Sequence, residues 1–219
     1  DKLYGIALTN LSGVGCSSFA SVVVMPTTGA ADFAEIEANY SDETAEVGYN
    51  SFVIDDNIEV EITAAERSAI LRFHYPKGEG NLLIDLSRRT ELDSSFMMQK
   101  ISNNEFQGYK TDGRFCAAGE NILHKIYFYG KLSKPARETG LKDGSAGLKT
   151  NVKKAKGEEI GAFFSYNFGK SQSLELKVGI SYVSMDNAKM NLKQEIGDKS
   201  FEVVQNETAK KWEKLLSRI

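Results

Sequence analysis

Two acidic clusters in the 219-residue chain, Asp42-Glu43 and Asp55-Asp56, have the residue types and spacing that could supply a general acid and a general base. A carboxyl that donates a proton near neutrality needs an apolar pocket to raise its pKa. Both clusters sit in turn-like stretches among polar residues, where an ordinary ionised acid is expected, so neither is assigned a catalytic role. His74 and His124 stand far apart with no partner at metal-ligand spacing, and both read as strand residues facing solvent or a polar pocket. Gly13-Val14-Gly15 opens like a dinucleotide fingerprint, but Ser18 holds the third glycine position and no βαβ pattern surrounds it. No phosphate loop or nucleophile elbow occurs. Cys16 and Cys116 leave two readings open, a disulfide with each other or two separate small buried residues. Asn10-Leu11-Ser12 and Asn206-Glu207-Thr208 match the glycosylation tripeptide; the second falls within a predicted helix, and both read as chance matches.

Composition narrows the class. The chain is 41% hydrophobic and 26% charged with a formal net charge of -3, ordinary for a globular protein with a sizeable core. Its lysines interleave with glutamates, which describes a solvated surface rather than the clustered basic face that nucleic acid requires. No apolar run approaches the roughly 18 residues of a membrane span. The longest, Ile122 to Leu132, is interrupted by His124 and Lys125. The given sequence shows no signal-peptide pattern, but its opening, Asp1-Lys2-Leu3-Tyr4, reads as the middle of a strand rather than a native start, so targeting is left open.

The elements that must position any site are strands. Ile58, Val60 and Ile62 alternate with Glu59, Glu61 and Thr63, and Leu174, Leu176, Val178, Ile180 and Tyr182 alternate with polar or small residues. Period two places one face in a core and the other in water. Further strand-like runs are Ser21 to Met25, Val47 to Ile54, Ala69 to Tyr75, Asn81 to Leu86, Ile122 to Leu132 and Ile160 to Phe168. Asp55-Asp56-Asn57 marks a hairpin turn, and Pro76 to Gly80 separates the next pair. Strands at short spacing without intervening helices predict a large antiparallel sandwich of two sheets. Ser133 to Lys156 is the least organised stretch, expected to be a hairpin tip or a mobile excursion.

The end of the chain changes period. Ser184 caps a predicted helix with apolar positions Met185, Ala188, Leu192 and Ile196, ended by Gly197. Ser200 caps a second, whose stripe runs through Phe201, Val204, Thr208, Trp212, Leu215 and Ile219. That stripe is expected to pack on the sandwich or on a following domain.

Six blocks in order carry a family resemblance: Tyr4 to Cys16, Ser21 to Pro26, Tyr40 to Tyr49, Val60 to Arg67 with Leu71-Arg72-Phe73, Asn81 to Leu86, and Lys177 to Ser184 followed by Asn187-Ala188, Asn191-Leu192 and Glu195. They resemble the amino-terminal domain of glycoside hydrolase family 92, the α-1,2-mannosidase family. Its first block reads roughly GFSHTHLSGTG and its last KVGISFVSxxxAxxNLxxE. Leu8, Asn10, Asp42 and Leu71 stand where the family pattern has histidine.

The resemblance implies a mostly-β fold: a large two-sheet antiparallel β-sandwich (supersandwich, galactose mutarotase-like) over residues 1–183. Residues 184–219 are then a helical linker toward an (α/α)6 catalytic domain outside this chain. It also implies a calcium-dependent, inverting exo-α-mannosidase whose acid, base and calcium ligands belong to that catalytic domain. This chain therefore is expected to hold no catalytic residue and no metal ligand, and to be inactive alone. The implied partners are an α-mannoside glycan and the (α/α)6 domain of the same polypeptide, with no nucleic acid and no membrane. An extracellular, cell-surface or periplasmic location is the expectation, with the cytoplasm left open.

By position, the loop from Asn10 to Ser17 is expected to form one wall of the glycan cleft, with Asn10, Ser12, Gly13, Gly15 and Ser17 as substrate-binding residues. Glycines there allow close backbone approach, and Asn10 and Ser12 can hydrogen-bond sugar hydroxyls. A tight structural loop without ligand is the alternative at that place. For the whole chain, the alternative is a free-standing carbohydrate-binding or structural β-sandwich module. Such modules display exposed aromatic platforms, whereas the lone tryptophan, Trp212, falls on a helix.

Overall fold

The computed structural model describes residues 2–9, 20–34, 36–87, 95–113, 123–144 and 147–218. Within them, the strands are β1 (Lys2–Leu3), β2 (Ile6–Ala7), β3 (Val23–Thr28), β4 (Ala38–Glu46), β5 (Tyr49–Ile54), β6 (Ile58–Ala64), β7 (Ser68–Tyr75) and β8 (Gly78–Asp85). They continue with β9 (Phe96–Lys100), β10 (Glu105–Gly113), β11 (Leu123–Leu132), β12 (Glu138–Asp143), β13 (Leu148–Lys149), β14 (Lys154–Gly157), β15 (Ile160–Phe168) and β16 (Gln172–Ser181), before α1 (Met185–Glu195) and α2 (Phe201–Leu216). Among the described residues these strands form a ten-stranded sheet, ordered β1-β4-β5-β6-β7-β16-β11-β10-β9-β14, and a six-stranded sheet, ordered β13-β12-β15-β8-β3-β2. The chain is thus a mostly-β, two-sheet antiparallel sandwich followed by two helices, as the sequence predicts.

Alternation builds the interior. Leu174, Leu176 and Val178 of β16 point into the space between the sheets, beside Phe73 and Tyr75 of β7, and meet Leu82 of β8 and Phe164 of β15 from the other sheet. Each such fully buried side chain contributes roughly 1.5–3 kcal/mol relative to exposure. The alternate residues of β7 and β16, among them Arg72, Glu175 and Lys177, stand on the opposite face of the large sheet.

That outer face carries the helices. The Ser184 hydroxyl accepts from the Asn187 N–H at 3.0 Å, the cap the sequence predicts. Ala188, Leu192 and Ile196 then bury against Ile70 of β7 and Tyr129 of β11, joined by Phe201 and Val204 of α2 in a second, smaller core. Gly179 makes this approach possible: a Cβ there would lie 2.3 Å from the Ala188 carbonyl oxygen. The α2 stripe is packed over its first half only. The Thr208 hydroxyl donates to the Ala64 carbonyl at 2.8 Å at the end of β6, and beyond it Trp212 is 50% and Leu215 54% exposed.

The structure corrects or extends the sequence reading at three places. Asp42-Glu43 lies within strand β4 rather than in a turn; its polar composition reflects an exposed strand with a register shift between Ser41 and Thr44, where Asp42 takes a φ of 53°. The segment from Ser133 to Lys156 holds the β12–β13 hairpin, the first of its two expected forms, but is more organised than expected: β12 pairs along its whole length with β15, and β14 pairs with β9. Charged residues flank a short buried run there, Thr139-Gly140-Leu141, which hides the period. The strands β9 and β10, unforeseen in the sequence, complete the large sheet by pairing with each other and with β11.

Candidate functional site

The residues assigned from the sequence to a sugar, Asn10, Ser12, Gly13, Gly15 and Ser17, lie outside the described residues, as do Cys16 and Cys116. Their flanks do not. The Leu8 N–H donates to the Val22 carbonyl at 2.9 Å, and the Ser21 N–H donates to the Thr9 hydroxyl at 3.2 Å. The two legs of the chain around residues 10–19 are therefore drawn together at their base beside β3. In the register of the six-stranded sheet, Val23 of β3 faces Asp85, so this base stands at the end of β8.

A buried polar cluster sits at that end. Asp85 is 3% and Asp112 5% exposed, and Lys110 is fully buried between apolar neighbours. The Ser21 hydroxyl donates to Asp112 Oδ2, while Asp112 Oδ1 accepts from the Gly113 N–H at 2.9 Å. Asp85 Oδ1 accepts from the backbone N–H and the hydroxyl of Ser87, at 2.8 and 2.5 Å. Burial pushes the Lys110 ammonium down to about 8, against the opposing pull of Asp112 and Asp85. Its Nζ lies 5.2 Å from the centre of the Phe96 ring. Each carboxylate here accepts from fixed donors beside an ammonium. That is a closed charge cluster, whereas an acid used on a substrate must be aimed at one.

Sequence reasoning missed this cluster. Asp85 closes the apolar run Leu82-Leu83-Ile84, and the alternation of Gly108, Lys110 and Asp112 on β10 is the signal that could have exposed it. Of the carboxylates that were considered, Asp42, Glu43 and Asp55 are elsewhere and exposed. Asp55 Oδ2 accepts from the Asn39 backbone and side-chain amides at 2.6 and 2.8 Å. Glu43 accepts from the Asn50 amide at 3.2 Å.

Both histidines are strand residues, as expected. His124 faces Asp112 across the β10–β11 ladder, with its ring 5.9 Å from that of Tyr182. His74 stands on the outer face, its Nε2 2.7 Å from Glu61 and its Nδ1 2.9 Å from the Ser173 hydroxyl. Burial pushes Glu61 up, but hydrogen bonds from His74 and Tyr49 and the nearby Arg72 charge outweigh it and hold the carboxyl below its usual range. Through Arg72, which also donates to Glu202, this group ties α2 to the sheet. Further along α2, a groove of about 640 Å³ is lined by Tyr49, Ile62, Trp212 and Leu215, with Asn50 and Lys211 among its polar residues. Among the described residues, no group of three or more His, Cys, Asp and Glu side chains is arranged to hold a metal ion.

Comparison with known proteins places this architecture. Residues 1–181 match the model of the glycosyl hydrolase family 92 N-terminal domain. A family GH92 α-mannosidase from Bacteroides thetaiotaomicron has the same fold, with a TM-score of 0.87 at 23% identity over 97% of this chain and 31% of that one. That α-mannosidase has also been solved in complex with mannoimidazole. The GH92 family glycosyl hydrolase ccman5 gives 0.86 at 26% identity over 99% and 31% of the two chains. A family GH92 inverting mannosidase from Bacteroides thetaiotaomicron VPI-5482 gives 0.77 at 18% identity over 90% and 26%. The chain thus spans less than a third of the length of each of these structures. A search of curated proteins found no match to the sequence.

Proposed function

Because the chain belongs to the glycosyl hydrolase family 92 N-terminal domain family, we propose that it is the non-catalytic amino-terminal domain of an exo-acting, inverting α-mannosidase. In this reading residues 184–219 lead toward an (α/α)6 domain of the same polypeptide. That domain supplies the general acid, the general base and the calcium ligands, and the sandwich supplies one wall of the glycan cleft. Asn10, Ser12, Gly13, Gly15 and Ser17 are the wall residues. No calcium site is assigned to the described residues of this chain.

The family match over residues 1–181 carries the proposal. It is supported by the exposure of Asp42, Glu43 and Asp55 and by the closed partnering of Asp85 and Asp112. A general acid or base contributes roughly 10²–10⁴-fold each, so the 219-residue chain alone should leave aryl α-mannoside and α-1,2-linked mannobiose unhydrolysed above background. The polypeptide extended through its next domain should cleave them. Reproducible hydrolysis by the 219-residue chain alone would overturn the assignment.

One observation favours a second reading, a carbohydrate-binding module. Trp212 is half exposed at the groove it shares with Tyr49, the kind of aromatic surface on which a sugar ring stacks. Titration of the chain with mannose and mannobiose, followed by Trp212 fluorescence, tests it; millimolar or tighter binding lost in Trp212→Ala would favour this reading.

A further inference from the structure

Three neighbouring strands of the ten-stranded sheet, β6, β7 and β16, set a carboxylate, a histidine and a serine in one row on its outer face. Ser173 of β16 stands directly across the ladder from His74 of β7, and Glu59 of β6 stands across from it on the other side, two residues from Glu61. The His74 Nδ1 lies 2.9 Å from the Ser173 hydroxyl, and its Nε2 lies 2.7 Å from Glu61 Oε2. Glu61 is itself held, because Oε1 accepts from the Tyr49 hydroxyl at 3.0 Å and Oε2 from Arg72 Nη1 at 3.3 Å. An ionised carboxylate only accepts, so Nε2 carries the proton of the neutral imidazole and Nδ1 is left to accept from Ser173. The Glu61 side chain is 16% and the His74 side chain 33% exposed, and Ser173 is partly exposed. Solvent therefore reaches the imidazole and the hydroxyl.

A hydroxyl beside a base that a third group orients is the arrangement that makes serine nucleophilic. It is recognised by geometry and roles rather than by a sequence motif. Any two of these groups would tie neighbouring strands together. The order of three, with the acid at the far nitrogen of the ring, is what a nucleophile needs.

We infer that Ser173, His74 and Glu61 form an acyl-transfer site at which Ser173 attacks esters of short acyl groups. Its Oγ bonds the acyl carbon while its proton passes to His74 Nδ1. The bond from that carbon to the ester oxygen breaks, and His74 returns the proton to the departing alcohol. Water, giving a proton to the same nitrogen, then splits the acyl-serine into a carboxylic acid and the free hydroxyl. Glu59, Arg72 and Glu175 surround the row on this face, so an acetyl group is suited and a long acyl chain finds no apolar lining. Strand N–H groups lie in the plane of the sheet, so none points out to cradle an oxyanion. The cation beside the site is Lys134, whose ammonium donates to the Ser173 carbonyl at 3.0 Å. An absent oxyanion donor costs roughly 10²–10³-fold in rate, so modification of Ser173, rather than fast turnover, is the decisive readout.

The test treats the 219-residue chain with diisopropyl fluorophosphate, maps the modified residues by peptide mass spectrometry, and follows hydrolysis of p-nitrophenyl acetate. Ser173 should be labelled faster than Ser102, an exposed serine whose hydroxyl bonds Asn104. His74→Gln should slow labelling of Ser173 by roughly 10²-fold or more, the contribution of a general base. Ser173→Ala, which removes one partly exposed hydroxyl, should lose most of the ester hydrolysis with its thermal unfolding midpoint in place. Labelling of Ser173 no faster than Ser102, equal labelling in His74→Gln, or full ester hydrolysis in Ser173→Ala would each sink the inference. Should His74→Gln fail to fold, the comparison with Ser102 and the Ser173→Ala variant decide. The mannosidase assignment makes no use of these residues, and hydrolysis of α-mannosides tests it separately.

Discussion

The guanidinium carbon of Arg72 lies 4.3 Å from the centre of the Phe201 ring, so β7 and the first residue of α2 meet in a contact that is both apolar and ionic. The same side chain donates from Nη2 to Glu202 at 2.7 Å, from Nε to Glu175 at 2.9 Å and from Nη1 to Glu61 at 3.3 Å. Cation–π contact and charge-assisted hydrogen bonds reinforce one another here because the guanidinium is planar and forked.

Arg72→Met should therefore loosen α2. It keeps apolar contact with Phe201 but leaves Glu61 and Glu175, both largely covered, without their cation. The expected loss is roughly 2–3 kcal/mol, below the range for a fully buried pair. Urea unfolding gives the magnitude, and faster amide exchange in α2 than in α1 gives the location. The Arg72 hydrogen bond holds Glu202 down at about 2, from an ordinary value of 4.5. Its contribution is thus complete above about pH 4.5 and is lost as the pH falls through about 2.

Lys110→Met should lose ground to the parent as the pH rises past the folded value of Lys110, because the parent then folds with a neutral amine in place of a buried ammonium. The gap should widen with pH. The folded value of Lys110 lies near 8 and the ordinary value is 10.5, so between them the unfolded chain binds more protons and folding gains stability as pH rises. From pH 8 to 10 the parent should gain roughly 2–3 kcal/mol over the variant. Measurement stops at pH 10 because burial raises Tyr129 and Tyr166, and stability from keeping them protonated declines above their ordinary value of 10.0. A gap that stays constant across this range would refute the assignment of the titration to Lys110.

Gly179→Ala should displace α1. The new methyl would meet the Ala188 carbonyl oxygen at 2.3 Å and Leu192 Cβ at 2.9 Å, and a carbonyl on a helix backbone has no rotamer with which to retreat. A loss of roughly 2–3 kcal/mol is expected, at the upper end of overpacking. Thermal unfolding should show it, and Gly144→Ala, where no atom lies within 4 Å, should lose less despite its φ of +57°.

Trp212→Ala should lose less than about 1 kcal/mol in this chain, against the roughly 3–5 kcal/mol of a packed tryptophan. Half of its surface is already in solvent. Urea unfolding followed by circular dichroism checks this; a loss above about 3 kcal/mol would mean that the side chain is packed.

The elements that alternation predicts are those with one apolar face and one polar face. Ile160 to Phe168 is strand β15 to the residue, and Ser184 and Ser200 cap the helices as their spacing requires. What stayed hidden included β10, whose inward positions after Phe106 are glycine, lysine and aspartate. On β10, Gly108 is there because the Met97 carbonyl oxygen and the Phe128 ring occupy the place of its side chain, and Lys110 because a carboxylate cluster receives it. Neither cause lies within the strand itself, so the alternation of Gly108, Lys110 and Asp112 carries the period without the apolar residues that usually mark it. The α2 stripe shows the converse. Its 3.6-residue period is continuous, but where the helix passes the end of β6 the sheet beneath it stops. Periodicity reports which face is apolar, and not how much of that face a neighbour covers.

The strand order constrains how the molecule is made. β16 is the last strand in the chain, yet it sits between β7 and β11 in the middle of the ten-stranded sheet. Until residues 172–181 have left the ribosome, β7 and β11 each present an open hydrogen-bonding edge and an unfilled apolar face. A nascent domain of this order cannot close its main sheet progressively from the amino terminus. It must wait, partly assembled, for its final strand, with two edges open to wrong pairing in the interval.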